Sequence, residues 1–397
     1  MKTCFLKRCV CLFLAAFLLF TGTLAVGASY DTVPIAEGLP AVNDGESSEL
    51  PCRAAILMDA ATGRVLFEQN ADEALPPASV TKVMTLLLVM EAVDSGVISL
   101  SDEVTVSAHA ASMGGSQVYL KEGETMSVEE MIKCVVIASA NDCAVALAEH
   151  VAGSEEEFVA RMNARAAELS MNNTHFENTN GLDDTVEHHL ISARDIAIMS
   201  RELISHPKIL EYSGIWMDTI RDGTFGLTNT NRLVRFYQGC TGLKTGSTAK
   251  AKFCISATAE RDGLSLICVI MAAESRDVRN ATATKLLDYG FANYSAYRAE
   301  AGERRLAVTG GTEASLLLRY DPFFAVVKKG STSRVEAVVE MPESAAAPIE
   351  AGEELGRVHY LVDGEEIGSV PLIAEAAVPK MNFSTLFVRI LKRFLLI

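Results

Sequence analysis

The spacing of apolar and polar positions changes several times along this chain, and each change marks a different predicted element. Apolar residues crowd 54–59 and 64–68 on either side of a short Gly-containing stretch, which predicts a β-hairpin. The run 83–90 is apolar on nearly every side, and no Gly or Pro follows it before Gly96. It therefore predicts a helix that lies inside a core.

The middle of the chain is predicted to be mostly helical before strands return. Residues 128–151 indicate a buried pair of helices that is interrupted at 138–142. Strands are predicted at 253–258 and 264–272, and a helix follows at about 278–289. Strands at both ends with helices between them predict one sheet whose edges are distant in sequence.

From about residue 298 the pattern changes to short strand-like runs punctuated by Gly and Pro. These runs are 305–309, 315–319, 323–327, 334–339 and 357–362. We predict that residues 298–378 form a small all-β domain without a catalytic cluster. Residues 51–297 are then the predicted catalytic domain.

The two ends of the chain differ in charge from the rest. Residues 1–28 have basic residues, then the uncharged stretch 9–19, then small residues, which predicts a signal peptide followed by an extended leader at 29–50. An uncleaved anchor is the alternative, although 9–19 is short for a membrane span. Residues 379–397 carry four basic and no acidic residues. Their apolar positions recur at helical spacing, which predicts an amphipathic helix on a membrane surface, or else a helix docked on the β domain.

Composition restricts the partners and the cofactors. The 397 residues include 35 basic and 51 acidic residues, a net charge of −16, which argues against nucleic acid as a partner. Cysteine and histidine spacing matches no metal site, so no metal or cofactor is predicted, and His188 and His189 are expected to be structural. Cys254 and Cys268 could face each other across one hairpin, which would permit a disulfide.

Ser79 and Lys82 stand at the start of the predicted buried helix, directly after a proline pair. Residues at i and i+3 share a helix face, so the two side chains point the same way. A serine hydroxyl needs a base within hydrogen-bond reach. Lys82 can be that base only if its pKa, ordinarily about 10.4, falls by roughly three units. Burial and a nearby second lysine, Lys244, would lower it.

Two further polar sets accompany this pair. Ser139-Ala140-Asn141 lies in the predicted helix interruption, and Lys244-Thr245-Gly246 enters a predicted strand. Each of the three sets alone is weak, because Ser-x-x-Lys and Ser-x-Asn also occur as ordinary helix caps. In this order and at these positions they resemble the motif set of the penicillin-binding proteins and β-lactamases.

The chain specifically resembles the low-molecular-weight penicillin-binding proteins, which are serine-type D-alanyl-D-alanine carboxypeptidases of the peptidase S11 family. The resemblance covers about residues 50–378, with secondary matches at 178–182, 189–195, 228–231 and 261–263. It implies an α/β (α+β) β-lactamase/transpeptidase-like catalytic domain, with an antiparallel sheet flanked by helices. A small all-β domain and a C-terminal amphipathic helix would follow.

The same resemblance implies the reaction and the partners. The enzyme would remove the terminal D-alanine from peptidoglycan stem peptides through an acyl-enzyme on Ser79, and β-lactams would be covalent inhibitors. It would work on the outer face of the bacterial cytoplasmic membrane, attached to the membrane surface through 380–397. Which residue takes the proton during acylation is disputed in the wider superfamily.

The second motif would approach Ser79 from the helical side. Ser139 is expected to relay a proton to the leaving amine, and Asn141 is expected to orient Lys82 and the substrate. Ala140, between them, is small enough to cause no conflict.

The third motif would hold the substrate. Lys244 would supply positive charge for a terminal carboxylate, Thr245 a hydroxyl beside it, and Gly246 room for the substrate backbone at the strand edge. The resemblance assigns the two oxyanion donors to the backbone N–H groups of Ser79 and Ser247.

Arg279 lies where the family places an arginine that helps to hold the carboxylate, and Arg276 is the competing candidate. Lys252 departs from the family pattern, which often has Gly there, and would alter local packing or the potential of the site.

Two alternatives to the peptidase are a β-lactamase and a penicillin-binding sensor or structural wall protein that acylates without turnover. Residues 168–172 match the Glu-x-x-x-Asn pattern of class A β-lactamases. They also fit a helix end before the loop that begins near Asn178. The intact motifs favour turnover, and the additional β domain and the basic tail favour the peptidase.

Overall fold

The computed structural model describes residues 49–395 of the chain. The predicted signal peptide and nearly all of the predicted leader lie outside the described residues, so both stay predictions.

The strands, in chain order, are β1 Ala54–Asp59, β2 Val65–Gln69, β3 Glu103–Thr105, β4 Thr125–Ser127, β5 Met217–Ile220, β6 Phe225–Thr228, β7 Cys240–Thr248, β8 Lys252–Arg261, β9 Leu264–Ala273, β10 Tyr294–Ala299, β11 Gly302–Thr309, β12 Ser315–Tyr320, β13 Phe323–Lys328, β14 Val335–Glu340, β15 Ser344–Ala346, β16 Glu354–Val362 and β17 Glu365–Ala374. The α-helices are α1 Lys82–Asp94, α2 Ala108–Ala111, α3 Val128–Lys133, α4 Asn141–Ala152, α5 Glu155–Glu168, α6 Ala193–Ile204, α7 Pro207–Ser213, α8 Leu233–Phe236, α9 Arg276–Asn293 and α10 Phe383–Phe394. Short 3-10 helices span Ala78–Thr81 and Thr332–Arg334, and a π-helix spans Cys134–Ala138.

A five-stranded antiparallel sheet in the order β2-β1-β9-β8-β7 forms the centre of the first part of the chain. The predicted hairpin of β1 and β2 is confirmed, and so is the single sheet that joins distant segments, since β1 pairs with β9. Every residue of β1 is buried. Ile56 belongs to the core on one face of the sheet and Leu57 to the core on the other, so the sheet is covered by apolar side chains on both faces.

The layer that carries the site consists of α1 and the helices around it. Most side chains of α1 are buried on all sides, as the uninterrupted apolar run predicts. The predicted interruption of 128–151 is also confirmed, because α3 continues into the π-helix and α4 starts only at Asn141. A π-helix is rare and is frequently found at functional sites.

The suggested pairing of Cys254 with Cys268 is wrong. Both are free thiols, and β8 pairs Ala257, not Cys254, with Cys268. Ala257 and Cys254 are three positions apart, an odd number, and side chains alternate between the faces of a strand. Cys254 therefore lies in the core on the helical side and Cys268 in the core on the opposite face.

The second part of the chain contains a six-stranded sheet in the order β14-β16-β17-β12-β11-β15 and the pair β10-β13. All five strands predicted beyond residue 298 are present, as β11, β12, β13, β14 and β16. The sheet has its own apolar core, in which the rings of Phe323 and Tyr360 stack at 4.2 Å between centroids. The predicted domain boundaries themselves stay predictions.

The last described element is α10, the helix predicted from the basic tail. Its aromatic residues lie in solvent, with Phe383 83% and Phe394 86% exposed. Its start is held by the β part of the chain, because Met381 N–H donates to the Gly310 carbonyl and Thr312 N–H to the Pro379 carbonyl. The apolar face is therefore not docked on the β sheet.

Across residues 49–395, no helix combines the length and the apolar character needed to cross a bilayer. The same residues contain no group of three or more His, Cys, Asp or Glu side chains that could hold a metal ion.

Candidate active site

Ser79 lies in the 3-10 turn that precedes α1, rather than in the first turn of the α-helix as predicted. Side chains at i and i+3 eclipse each other in a 3-10 helix. Ser79 and Lys82 therefore meet, and the Lys82 Nζ lies 2.9 Å from the half-buried Ser79 Oγ. The predicted contact between Ser79 and Lys82 is confirmed, and their roles as nucleophile and base stay predictions.

The ammonium group of Lys82 has three hydrogen-bond acceptors within reach although the residue is 0% exposed. Besides the Ser79 hydroxyl, they are the Asn141 Oδ1 at 2.6 Å and the Asn180 carbonyl oxygen at 2.7 Å. Three acceptors match the three N–H groups of a charged lysine. In the neutral amine, two N–H groups can keep the Asn141 and Asn180 bonds while the lone pair faces the serine hydroxyl.

The charge state of Lys82 is set by burial and by a row of cations. Burial lowers the pKa of Lys82 well below its usual range, and the positive charge of Lys244 lowers it further. Burial likewise lowers the pKa of Lys244 to about 7, with Arg279 as the next cause. Both causes that the sequence predicted for a lowered Lys82 pKa, burial and the charge of Lys244, are present, and both favour the neutral amine.

Ser139 and Asn141 are placed by the end of the π-helix. Ser139 is 4% exposed and has a left-handed backbone with φ 64°, which ends the helix. Asn141 begins α4 and is fixed at both ends of its amide, because its Nδ2 donates to the Gly114 carbonyl at 2.7 Å while its Oδ1 faces Lys82. The predicted contact between Asn141 and Lys82 is confirmed, and the relay role of Ser139 stays a prediction.

The third motif lies on β7, the edge strand of the central sheet. Lys244 is 1% exposed, and its Nζ donates to the carbonyl of Thr245 at 2.9 Å. The Thr245 hydroxyl donates to the hydroxyl of Thr230 at 2.8 Å. Thr230 has no role in the sequence analysis, although it lies within a stretch that matches the family.

Gly246 allows β7 to lie directly against the turn that carries Ser79. A Cβ at this position would lie 2.8 Å from the Pro77 carbonyl oxygen and 2.9 Å from the amide nitrogen of Ser79. The absence of a side chain therefore makes room for the Ser79 turn itself, a constraint that the sequence did not reveal. Room for the substrate backbone, the predicted role of Gly246, stays a prediction.

The remaining predicted residues lie around the same strand. Ser247 follows Gly246 on β7, is exposed, and pairs with Phe253 of β8. Arg279 is 2% exposed at the start of α9 and donates to the Cys254 carbonyl, whereas Arg276 is exposed. The burial of Arg279 and its electrostatic coupling to Lys244 favour Arg279 over Arg276 as the arginine that would help to hold a substrate carboxylate.

Lys252 does not point its charge into the site. Its ammonium pairs with Glu274 at 2.5 Å, and both side chains are largely exposed. Its backbone φ is 55°, the left-handed region in which glycine is most at ease. Lysine in place of the family's glycine therefore strains the local backbone of the β7–β8 turn and adds no charge to the site.

The segment 178–182 closes the back of the site, which the sequence did not predict. The Asn180 carbonyl binds Lys82, and the Thr179 carbonyl accepts from the Thr85 hydroxyl at 2.6 Å. Gly181 has φ 83°, and a Cβ there would lie 1.9 Å from the carbonyl oxygen of Ala78. These contacts use backbone atoms, so side-chain motifs gave no signal for them.

These features are typical of an active-site-serine enzyme with a Ser-Lys pair. They are the buried Lys82 bonded to Ser79, the Asn141 amide of the second motif, and the cationic edge strand β7. The comparisons agree with this class. Residues 41–275 match the D-alanyl-D-alanine carboxypeptidase family, peptidase S11, and residues 305–380 match the C-terminal domain of penicillin-binding protein 5. The chain belongs to the peptidase S11 family of serine-type hydrolases, as the sequence motifs implied.

Individual relatives cover most of the chain. The D-alanyl-D-alanine carboxypeptidase DacF of Bacillus subtilis strain 168 is 42% identical over 360 residues, which are 88% of this chain and 92% of that protein. The crystal structure of penicillin binding protein 5 from Haemophilus influenzae has a TM-score of 0.75 and 31% identity, and the match covers 84% of this chain and 99% of that one. The predicted catalytic fold followed by an all-β part is thereby confirmed.

A third relative has been crystallised with a ligand. Penicillin-Binding Protein D2 from Listeria monocytogenes, in its ampicillin-bound form, matches with a TM-score of 0.57 and 33% identity. The match covers 62% of this chain and 100% of that one.

The β-lactamase alternative is not supported by the position of its key glutamate. Glu168 ends α5 with a 65% exposed side chain and pairs with Arg165, which also binds Glu91 and Glu202. A deacylating base must reach a water molecule beside the acylated serine. Glu168 instead belongs to a surface network of ion pairs.

The close approach of Gly181 to the Ser79 turn predicts a large loss of stability for Gly181→Ala. The substitution adds a collision with the Ala78 carbonyl to the left-handed strain, so the free energy of unfolding should fall by at least about 3 kcal/mol. Gly263→Ala is the matched control, because Gly263 has φ 77° but open space around its Cβ position. It should cost only about 1–2 kcal/mol. Equal losses in urea denaturation would contradict the packing role of Gly181.

Proposed function

We propose that the chain is a serine-type D-Ala-D-Ala carboxypeptidase in which Ser79 is the nucleophile and Lys82 is its base. The observation that carries this proposal is the buried Lys82 amine, held between Ser79, Asn141 and Asn180. Its substrate is a peptidoglycan stem peptide that ends in D-alanyl-D-alanine. D-Alanyl-D-alanine carboxypeptidase is also the activity for which relatives such as DacF of Bacillus subtilis are named.

Acylation begins when the Ser79 Oγ attacks the carbonyl carbon of the penultimate D-alanine. The hydroxyl proton passes to the neutral amine of Lys82, which burial and Lys244 keep at a low pKa. The backbone N–H groups of Ser79 and Ser247 stabilise the oxyanion that forms. Lys82 becomes charged at this point, and Asn141 and Asn180 supply oxygen acceptors for it.

The leaving group is the amine of the terminal D-alanine. It needs a proton as the C–N bond breaks, and Ser139 passes that proton from Lys82. The product that stays behind is an ester on Ser79. Water then attacks the ester carbonyl, and Lys82, neutral again, takes a proton from the water. Lys82 returns this proton to Ser79 Oγ as the ester C–O bond breaks, which releases the shortened peptide and restores the free serine.

The terminal carboxylate is recognised at the cationic end of the cleft. Lys244 and Arg279 provide positive charge, and Thr245 provides a hydroxyl. A substrate carboxylate stabilises the charged form of Lys244 and raises its pKa from about 7. Substrate affinity therefore falls as the pH rises through about 7, because Lys244 in the free site loses its charge there while Arg279 keeps its own.

β-Lactams fit the same chemistry as covalent inhibitors. Their carbonyl is attacked by Ser79 while their carboxylate occupies the Lys244 end. The support from a relative is the ampicillin-bound form of the Listeria protein. A sensor that only acylates would need the same residues for the first step, so only turnover separates it from the peptidase.

A peptide that ends in D-Ala-D-Ala tests the proposed reaction. The purified protein should release D-alanine, and Ser79→Ala should release none while keeping its fold, since the half-buried hydroxyl is small. D-alanine is measured by a coupled oxidase assay, and labelled penicillin reports the acyl-enzyme by gel fluorescence. A native protein that is labelled by penicillin but releases no D-alanine would be a sensor, and the peptidase proposal would fail.

Arg279→Gln tests the carboxylate end of the cleft. Loss of a charge-assisted contact should reduce kcat/KM for the peptide by roughly 10- to 100-fold. Removing the positive neighbour also raises the pKa of Lys244, so the fall of affinity with pH should move above pH 7. Arg276→Gln is the control, because Arg276 lies one helical turn earlier and is exposed. An equal effect of the two substitutions would remove Arg279 from the site.

The enzyme belongs outside the cytoplasm, where its peptidoglycan substrate is found, and we propose that α10 holds it on the membrane surface. The helix exposes Phe383, Phe387, Ile390 and Phe394 at helical spacing. Basic residues of the tail suit anionic lipid headgroups. The exposed apolar face supports insertion into the headgroup region.

Vesicle sedimentation tests the membrane proposal. The double variant Phe387→Ser, Ile390→Ser should lose binding to vesicles that contain anionic lipid, because it removes apolar area that the helix would insert. High salt should weaken binding by the native protein. Val338→Ser, which removes an exposed apolar side chain from β14, is the control and should bind normally. Unchanged sedimentation of the double variant would contradict anchoring by α10.

A further inference from the structure

His189 contacts the turn that carries the nucleophile although it is not one of the groups assigned above. Its side chain is buried, and its Nε2 lies 2.7 Å from the Thr81 hydroxyl. Thr81 stands in the 3-10 turn between Ser79 and Lys82. The imidazole therefore touches the chain between the nucleophile and its base.

The hydrogen bonds around the ring assign its tautomer. The backbone N–H of Glu177 donates to the His189 Nδ1 at 2.9 Å, so Nδ1 is an acceptor and Nε2 carries the proton. Nε2–H then donates to Thr81 Oγ1, and the Thr81 hydroxyl donates to the Ala78 carbonyl at 2.9 Å. The chain of bonds runs in one direction from Glu177 to Ala78.

The turn needs such support because part of its backbone is strained. Ala78 has φ 50°, a left-handed conformation that disfavours a residue with a Cβ by about 1–2 kcal/mol. No side chain caps the start of this 3-10 turn. Strained backbone persists only where its surroundings hold it, and the Thr81 hydroxyl binds the carbonyl of the strained residue.

The His189 ring is neutral in this structure. Burial lowers the pKa of His189 to about 4, the carboxylates of Glu177 and Asp183 act in the opposite direction, and His175 lowers it further. Phe176 packs against the ring edge to face, with 5.8 Å between centroids. A charged ring would present an N–H at Nδ1 to the N–H of Glu177, so the observed bonds require the neutral form.

We propose that His189 is a positioning residue for acylation: through Thr81 it holds the Ala78–Thr81 turn so that Ser79 Oγ stays in contact with Lys82 Nζ. It touches neither substrate nor the reacting atoms. This inference rests on the proposed function, because it concerns the rate at which Ser79 is acylated. It assigns to His189 a role that the spacing of histidines in the sequence did not indicate.

Two pairs of substitutions test the hydrogen bond rather than the bulk of the side chains. His189→Leu and Thr81→Val each remove it, and each should lower kcat and the rate of acylation by labelled penicillin by about 10- to 100-fold, with KM little changed. His189→Gln should retain most of the rate, because its amide can donate to Thr81 and accept from Glu177. Thr81→Ser should also retain most of the rate, because it keeps the hydroxyl.

The double variant shows whether the two residues act together. His189→Leu combined with Thr81→Val should be no slower than the slower single variant, since both substitutions remove the same His189–Thr81 bond. Thr81→Val additionally removes the bond to the Ala78 carbonyl. His188→Leu is the control, because the neighbouring His188 is exposed whereas His189 is buried. It should acylate at the native rate. If His189→Leu does not fold, native acylation by Thr81→Val would still overturn the proposal, because that variant lacks the hydroxyl through which His189 acts.

Three results would overturn the proposal. These are native acylation by His189→Leu, a His189→Gln variant as slow as His189→Leu, and additive losses in the double variant. A native protein that penicillin does not acylate would instead overturn the proposed function. The two failures are therefore distinguishable.

Discussion

The structure of the site depends on keeping one amine in an apolar interior. Lys82 is wholly buried, and a lysine in that position is tolerated only when every N–H group has a partner or when the charge is lost. The surroundings allow both states, since three acceptors fit the ammonium and the neighbouring Lys244 opposes it. The π-helix, the left-handed Ser139 and the 178–182 segment can all be understood as the backbone geometry that brings those acceptors to one point.

Much of the fold followed from apolar spacing. The β1–β2 hairpin, the buried α1 and the break before α4 each have a strong local signal, and the structure has all three. The strand β17 was missed because it contains Pro371, which usually argues against a central strand. The structure accommodates it because β12 pairs with β17 only at Ile373 and Ala374, beyond the proline.

The sequence itself contains a signal for the register that separates Cys254 from Cys268. Asp262-Gly263 is a strong signal for a two-residue hairpin turn, and the structure has positive φ at both residues, with Arg261 paired to Leu264. Counting back from that turn places Cys268 opposite Ala257.

The side chains of the site could be predicted from the three motifs, whereas the contact of the Asn180 carbonyl with Lys82 could not. A backbone acceptor leaves no residue type by which to recognise it.

Ser79, the proposed nucleophile, is enclosed largely by main chain. The surrounding groups are the Ala78 carbonyl beside Gly181, the Asn180 carbonyl, and the backbone of β7 at Gly246. A single substitution can replace one side chain, but a surface that consists of backbone atoms changes shape only when the backbone itself moves. Variation that alters inhibitor resistance while preserving turnover is therefore expected at the rim of the cleft. Few single substitutions can change the shape of the cleft around Ser79, because backbone atoms form most of it.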